Sequence, residues 1–192
     1  FQQMSQLQLL RAHDYPRMPL KNGGGFTEEI TRDSGEGLDG FGWRLSIADI
    51  EESGGFSAFA GYQRIITVLQ GDGMRLLVDG LASRPLLAFD AFAFSGESQV
   101  SCKLLGGAIR DFNLIYAPMR YRARLQWLDG EQRLFSSAGT VLVFSVSELL
   151  HVQVGDSVSQ LGRHDCLQLD GNAGLVEVST NAACCVIELL PN

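Results

Sequence analysis

The sequence predicts an all-β protein made of two successive β-barrels, and three observations carry that prediction. Apolar residues come in short runs rich in Val, Ile, Leu and Phe, with 11 Phe among 192 residues. The 22 Gly and 5 Pro break those runs at short intervals. No long segment repeats apolar residues at helical spacing. β-branched and aromatic side chains suit a pleated, half-buried surface, and glycine closes the tight turns between strands. With 45% apolar residues there is enough material for a packed core.

In chain order, 26–31 and 41–47 alternate as strands do, and 62–70 is a richer run containing Ile65, Ile66, Val68 and Leu69. Gly71-Asp72-Gly73 turns the chain and 74–78 returns, so 62–78 reads as a hairpin. Segments 85–89, 91–94, 100–105 and 109–115 continue as short strands between Asp90, Ser95-Gly96 and Gly106-Gly107. Beyond Tyr116-Ala117-Pro118 the pattern restarts, with strands expected at 122–127, 140–145, 149–154, 166–169, 175–179 and 184–190. The halves echo each other: the Gly71-Asp72 turn and Asp79-Gly80 have counterparts in Gly155-Asp156 and Asp170-Gly171. The expected division is 1–117 for an N-terminal barrel with the ligand pocket and 118–192 for a C-terminal barrel, with strands open to exchange between them.

Composition narrows function. A formal charge of −7 argues against a broad phosphate-binding surface. Arg120, Arg122 and Arg124 alternate on one strand, which places them on one solvated face. No run approaches the roughly 18–20 apolar residues that span a bilayer, and no secretory leader is evident, so a cytoplasmic protein is expected. Cys102, Cys166, Cys184 and Cys185 lack zinc-ligand spacing and read as small buried hydrophobes.

The usual catalytic signatures are missing. His13, His151 and His164 form no H-x-H or H-E-x-x-H arrangement, so a histidine-built metal centre is not expected. His164-Asp165 reads as a solvated turn and His151 as a core histidine within an apolar strand. Neither a G-x-S-x-G elbow nor a Gly-rich nucleotide loop is present. Glu28-Glu29 and Glu51-Glu52 are adjacent pairs whose side chains diverge on a strand.

Three segments carry more information. In Lys21-Asn22-Gly23-Gly24-Gly25, successive glycines would let backbone N–H groups converge on an anion beside a fixed lysine charge, or the segment is a flexible loop. In Phe41 to Ser46, Trp43 and Leu45 share one face; Arg44 and Ser46 share the other, towards a barrel mouth or water. Gly54 to Arg64 brings Ser57, Phe59 and Arg64 to the start of the next strand, and arginine suits planar recognition of carboxylates.

These segments resemble the HutD/Ves family, whose pattern P-W-K-N-G-G-G-x-T-x-E, W-R-L-S, G-x-F-S-x-F-x-G-x-x-R and a Leu-x-Gly-x-Gly turn stands here at Pro19 to Glu29, Trp43 to Ser46, Gly54 to Arg64 and Leu69 to Gly73. A later stretch, Phe94 to Glu97 through Leu104 to Gly107 and on to Asp111-Phe112-Asn113, also resembles the family's. Leu20 replaces the family's Trp, and Leu114 to Ala117 departs from a Met- and Arg-containing segment. The resemblance implies a double cupin, two fused jelly-roll barrels. It further implies an association with bacterial histidine utilisation, through binding a pathway intermediate such as N-formylglutamate and restraining pathway expression. Many cupins hold a metal through histidines and a glutamate; the comparable positions here are Phe56 to Phe59 and Arg64, which cannot rebuild that site.

The expected function is therefore that of a non-catalytic, small-metabolite-binding regulator. Lys21 and Arg64 would neutralise carboxylate, the amides of Gly23, Gly24 and Gly25 would add hydrogen bonds, and Arg44, Ser46 and Ser57 would orient the ligand. Asn22, Phe59 and Asp111 complete the candidate set, and Asn113 could read an amide or formyl group. No cofactor, metal, nucleic acid or membrane partner is expected, and a homodimer is left open. The alternatives are a metal-independent enzyme using Asp111 or Glu29 as general base, and an interaction module needing no pocket.

Overall fold

The structure, a computed structural model, describes residues 5–20, 23–38 and 40–192. Its strands in chain order are β1 (Gln6–Leu10), β2 (Arg17–Pro19), β3 (Gly25–Arg32), β4 (Trp43–Ile50), β5 (Gly54–Gly55), β6 (Gln63–Gln70), β7 (Met74–Val78), β8 (Leu81–Ala82), β9 (Phe92–Ser95) and β10 (Val100–Leu104). They continue with β11 (Ile109–Tyr116), β12 (Tyr121–Leu128), β13 (Gln132–Ser136), β14 (Thr140–Ser145), β15 (Leu150–Val154), β16 (Ser157–Leu161), β17 (Cys166–Asp170), β18 (Val176–Thr180) and β19 (Cys184–Pro191). One short 3-10 turn, Ala12–Asp14, is the sole helical element among the described residues.

The chain forms two compact units, Pro16–Met119 and the described residues 5–15 together with Arg120–Asn192. In the first, a six-stranded sheet ordered β2-β3-β4-β11-β6-β9 faces a four-stranded sheet ordered β5-β10-β7-β8. Ala48, Ile50, Ile66, Val68, Phe94 and Ile109 of the larger sheet pack with Met74, Leu76, Val100 and Cys102 of the smaller one, which fixes the barrel interior. In the second, a five-stranded sheet ordered β1-β17-β14-β19-β12 faces β13-β18-β15-β16. Its core joins Val141, Val143, Leu167, Leu169, Cys184 and Val186 to Leu150, Val152, Leu161 and Val178.

Three details differ from the sequence reading. β1 pairs along its whole length with β17, Gln6 opposite Asp170, so the first strand completes the second barrel although it begins the chain. The 62–78 hairpin does not form: β6 pairs with β11 and β9, while β7 crosses to the other sheet and pairs with β10 and β8. A Cβ at Gly71 would lie 2.7 Å from the Ala108 carbonyl oxygen and one at Gly73 2.5 Å from that of Leu86, so this crossover needs both glycines. Segment 85–89 gives only isolated bridges, Met74 to Leu86 and Val68 to Ala88, because Pro85 lacks an N–H and Phe89 turns with φ 65°.

The internal echo is genuine but shifted by one hairpin. Gly155-Asp156 joins β15 to β16, so its counterpart by sheet order is the Asp79-Gly80 turn between β7 and β8, not Gly71-Asp72. All four cysteines are free and buried. Burial pushes the Cys166 and Cys185 thiols far above their usual range, so neither is a reactive thiolate.

Candidate functional site

Register brings the chemistry of the first barrel together. On β4 the side chains of Arg44, Ser46, Ala48 and Ile50 fall on one face by simple alternation. β11 lies antiparallel beside it with Asp111 opposite Ala48, Asn113 opposite Ser46 and Ile115 opposite Arg44. β6 flanks β11 on its other edge and sets Arg64 opposite Ile115. Arg44, Ser46, Arg64, Asp111 and Asn113 therefore line one cavity of about 290 Å³, with Thr27, Ile50, Phe56, Ser57, Phe59 and Ile115 in the wall. A mostly apolar hollow with a few convergent polar groups is the common form of a small-molecule site.

Arg64 is held on all sides. Its Nη1 donates to the Ser57 carbonyl at 3.1 Å and its Nη2 to Asn113 Oδ1 at 3.3 Å. The guanidinium carbon lies 5.0, 5.2 and 5.5 Å from the ring centres of Phe94, Phe59 and Phe56, cation–π distances to three rings. The loop carrying Phe56, Ser57 and Phe59 is tied down at Gly96, which accepts from the Phe59 N–H at 2.7 Å. A Cβ at Gly96 would sit 2.4 Å from the Phe59 carbonyl oxygen. Burial lowers the Arg64 pKa to about 10, with the Asp111 charge raising it and the Arg44 charge lowering it, so the group stays cationic at neutral pH.

Arg44 is anchored from behind. Glu29 Oε1 accepts from Arg44 Nε at 2.7 Å and from Arg32 Nε at 3.0 Å, and Arg32 is tied in turn to the Gly37 carbonyl at 2.7 Å. A register shift between Glu29 and Thr31 on β3 lets this carboxylate reach both guanidinium groups. Burial alone would raise the Glu29 pKa, yet the hydrogen bonds and charges of Arg32 and Arg44 hold it below the usual value. Arg44 is only 4% exposed, so its face of β4 turns to the barrel interior and not to water, while Trp43, Leu45 and Ile47 on the other face are buried as well.

Asp111 is completely buried and its Oδ1 accepts from Asn113 Nδ2 at 2.6 Å. Burial pushes its pKa up to about 7, against the lowering effects of the Arg64 charge and the Asn113 hydrogen bond, with Asp49 adding to the rise. Among the described residues Arg44 Nη2, Arg64 Nε and Asp111 Oδ2 have no hydrogen-bond partner, one such atom on each charged residue of the cavity. Buried polar atoms are nearly always paired; these three belong to residues of the cavity wall, and three further unpaired atoms, Arg32 Nη1, Arg110 Nε and Thr180 Oγ1, belong to residues outside it.

Of the other expected site residues, Lys21 and Asn22 lie outside the described residues. Gly23, Gly24 and Gly25 do not line the cavity. The Gly23 N–H donates to the Leu20 carbonyl at 3.0 Å, Gly24 accepts from Glu51 at 2.8 Å, and Gly25 begins β3 opposite Ile50. A Cβ at Gly25 would fall 1.8 Å from the Asp49 carbonyl oxygen, so close strand approach is what demands glycine there. The Arg32–Glu29 anchor and the third ring of the cage, Phe94, are additions from the structure; the β3 bulge and the strand pairing that place them have no local sequence signal.

The two histidines of the second barrel exchange their expected roles. His151 is exposed on β15 between the buried Leu150 and Val152, with Asn181 Nδ2 3.1 Å from its Nδ1. His164 is buried and stacked on Phe144 at 5.4 Å, its carbonyl accepting from the Tyr15 hydroxyl at 2.7 Å. Among the described residues no three His, Cys, Asp or Glu side chains gather as a metal would require. At the cavity the donor set of two arginines, an aspartate and an asparagine does not fit the cupin metal site.

Comparison with known proteins gives the fold class and the family. A bacterial pirin from Escherichia coli in complex with nickel(II) superposes with TM-score 0.69 at 10% identity over 97% of this chain and 99% of that one. An oxalate decarboxylase formate complex from Lactobacillus farciminis does so with TM-score 0.65 at 8% identity over 96% and 86%. Those likenesses concern the fold alone and define the class, a double cupin. The family model described as HutD matches residues 12–186, and the chain belongs to the HutD family. It is 77% identical over 97% of its length to a 21.2 kDa protein encoded in the hutC 3' region of Pseudomonas putida, covering 99% of that protein. HutD from Pseudomonas fluorescens SBW25, in a formate condition, is 65% identical with TM-score 0.90 over 97% of this chain and all of that one. Protein Ves of Escherichia fergusonii is 34% identical over 80% of each chain.

Proposed function

We propose that the first barrel binds a small carboxylate intermediate of histidine utilisation, such as N-formylglutamate, and that the protein regulates the pathway by holding this ligand unchanged. The observation that supports this reading is the pair of buried arginines, Arg44 and Arg64, at one mostly apolar cavity, each with a donor that no group among the described residues accepts. Guanidinium groups match carboxylates in shape and charge, and a desolvated wall strengthens the attraction. Asn113, fixed between Arg64 and Asp111, offers an amide to a formyl or amide group. Membership of the HutD family links the reading to histidine utilisation. A cytoplasmic location belongs to the same reading; among the described residues no helix is long and apolar enough to cross a membrane.

Calorimetric titration with N-formylglutamate, urocanate and glutamate tests it. Saturable binding of at least one below millimolar concentration is expected, and no binding of any of the three overturns the reading. One observation favours a second reading, a metal-independent enzyme: the Asp111 carboxyl, poised near pH 7, has the proton affinity of a general acid or base. Product analysis after the same titration separates the two, since turnover of the bound compound would replace storage by catalysis.

A further inference from the structure

We infer that a carboxylate ligand enters the first barrel together with one proton, which is taken up by Asp111. The inference rests on the carboxylate reading of the cavity and adds to it a rule of charge balance that selects the ligand.

Asp111 sits at the wall of the cavity on β11, fully buried, with one hydrogen bond from Asn113 and an Oδ2 that meets no donor among the described residues. An ionised carboxylate in that position is favoured by the charge of Arg64 and by the hydrogen bond from Asn113, against the cost of burial. The other groups around it are Arg44 and Asp49 from β4, Glu29 from β3 behind Arg44, and Cys102 on β10 of the facing sheet. Asp49 works against ionisation of Asp111, and the Cys102 thiol is itself raised by burial, so it supplies no charge near neutrality. The free site therefore stands near the balance point between the two protonation states, with Asp111 at about 7.

A ligand carboxylate at Arg44 and Arg64 upsets that balance. It cancels the positive charge that keeps Asp111 ionised and places a second anion in the same low-dielectric hollow. Two carboxylates so confined share a proton. The proton comes from solvent and forms an O–H bond at Asp111, and no covalent bond breaks. Charge counting agrees. Among the described residues Asp49 and Glu28 are balanced by Arg17 and Arg110, so Arg32, Arg44 and Arg64 against Glu29 and Asp111 leave one positive charge in excess when Asp111 is ionised, and two when it is protonated. The protonated cavity thus neutralises a dicarboxylate, where the ionised form would repel its second negative charge.

The test is titration of the protein with N-formylglutamate in buffers of different ionisation heat, at pH 6.0 and pH 8.0, with the dissociation constant also followed from pH 7.5 to 8.5. The ligand carboxylates stay ionised throughout this range. At pH 8.0 close to one proton is expected per ligand bound; at pH 6.0, where the free protein already carries the proton, uptake falls towards zero. With one proton linked, the dissociation constant rises by up to about tenfold per pH unit above the free pKa. Asp111→Asn should abolish the uptake and flatten the profile. Where that variant fails to fold, the wild-type proton count at the two pH values decides alone. Binding with no proton uptake at pH 8.0, or with uptake that does not grow with pH, overturns the inference and leaves the carboxylate reading standing. Failure of N-formylglutamate, urocanate and glutamate all to bind overturns both.

Discussion

The two barrels share one strand plan and differ in what they put inside it. The order β4-β11-β6-β9 over β5-β10-β7-β8 in the first is matched by β12-β19-β14-β17 over β13-β18-β15-β16 in the second. Their additions go to opposite edges, β2 and β3 beyond β4 in one and β1 beyond β17 in the other. Inside, the second barrel packs Val141, Val143, Val152, Leu161, Leu167 and Val186, and its buried Glu188 accepts from Ser136 Oγ at 2.5 Å. The first gives the corresponding space to two arginines, an aspartate and a cavity. Isolated buried charges weaken a fold, so their concentration in one of two similar interiors points to selection for binding there.

Removing an arginine from each barrel tests that contrast most strongly. Arg64→Ala strips the cavity of a desolvated cation and should weaken N-formylglutamate binding by about 2–5 kcal/mol, roughly thirtyfold to several thousandfold. Arg124 in the second barrel is 66% exposed and 3.7 Å from Glu188, so Arg124→Ala should leave the affinity within about twofold. Comparable losses in both variants, measured by titration, would erase the functional distinction between the barrels.

Stability should show the reverse. Leu167 on β17 is 1% exposed within a closed core, and Leu167→Ala should cost about 2–5 kcal/mol in denaturant unfolding. Ile50 ends β4 at the cavity wall, where part of its surface meets empty space instead of packed atoms. Ile50→Ala therefore forfeits fewer contacts and should cost about 1–2 kcal/mol. Equal costs would mean that the first interior is packed as tightly as the second.

The sequence carried the strands better than the details of the pocket. Alternation in Trp43 to Ser46 separates Arg44 and Ser46 from their neighbours, but only pairing with β11 shows that both faces of β4 are buried. Lone periodicity also misplaced the histidines, since His151 lies in an apolar run yet faces outward, while His164 lies in a polar loop yet stacks on Phe144. Gly25 looked like part of an anion cradle because a glycine needed for close strand approach has the same spelling as one needed for a ligand. β1 carries the alternation Gln6-Leu7-Gln8-Leu9, but its place in the second barrel is set by pairing with β17, which no local signal gives, and the mostly polar β13 is recruited by pairing with β18.

The smallest expected effect concerns the polar pair inside the second barrel. Ser136 is 1% exposed; its hydroxyl donates to Glu188 and accepts from the Ala138 N–H at 3.2 Å, so both groups are satisfied locally. Ser136→Ala leaves the Glu188 carboxylate short of a donor and should cost about 1–2 kcal/mol of stability, read by denaturant unfolding. It should not change N-formylglutamate affinity, because a pair that completes its own hydrogen bonds has no vacancy for a ligand. In this it is the opposite of Asp111, whose Oδ2 finds no partner among the described residues. A loss of affinity in Ser136→Ala would mean that the second interior takes part in ligand handling, and that matching strand orders hide two binding barrels where one is inferred.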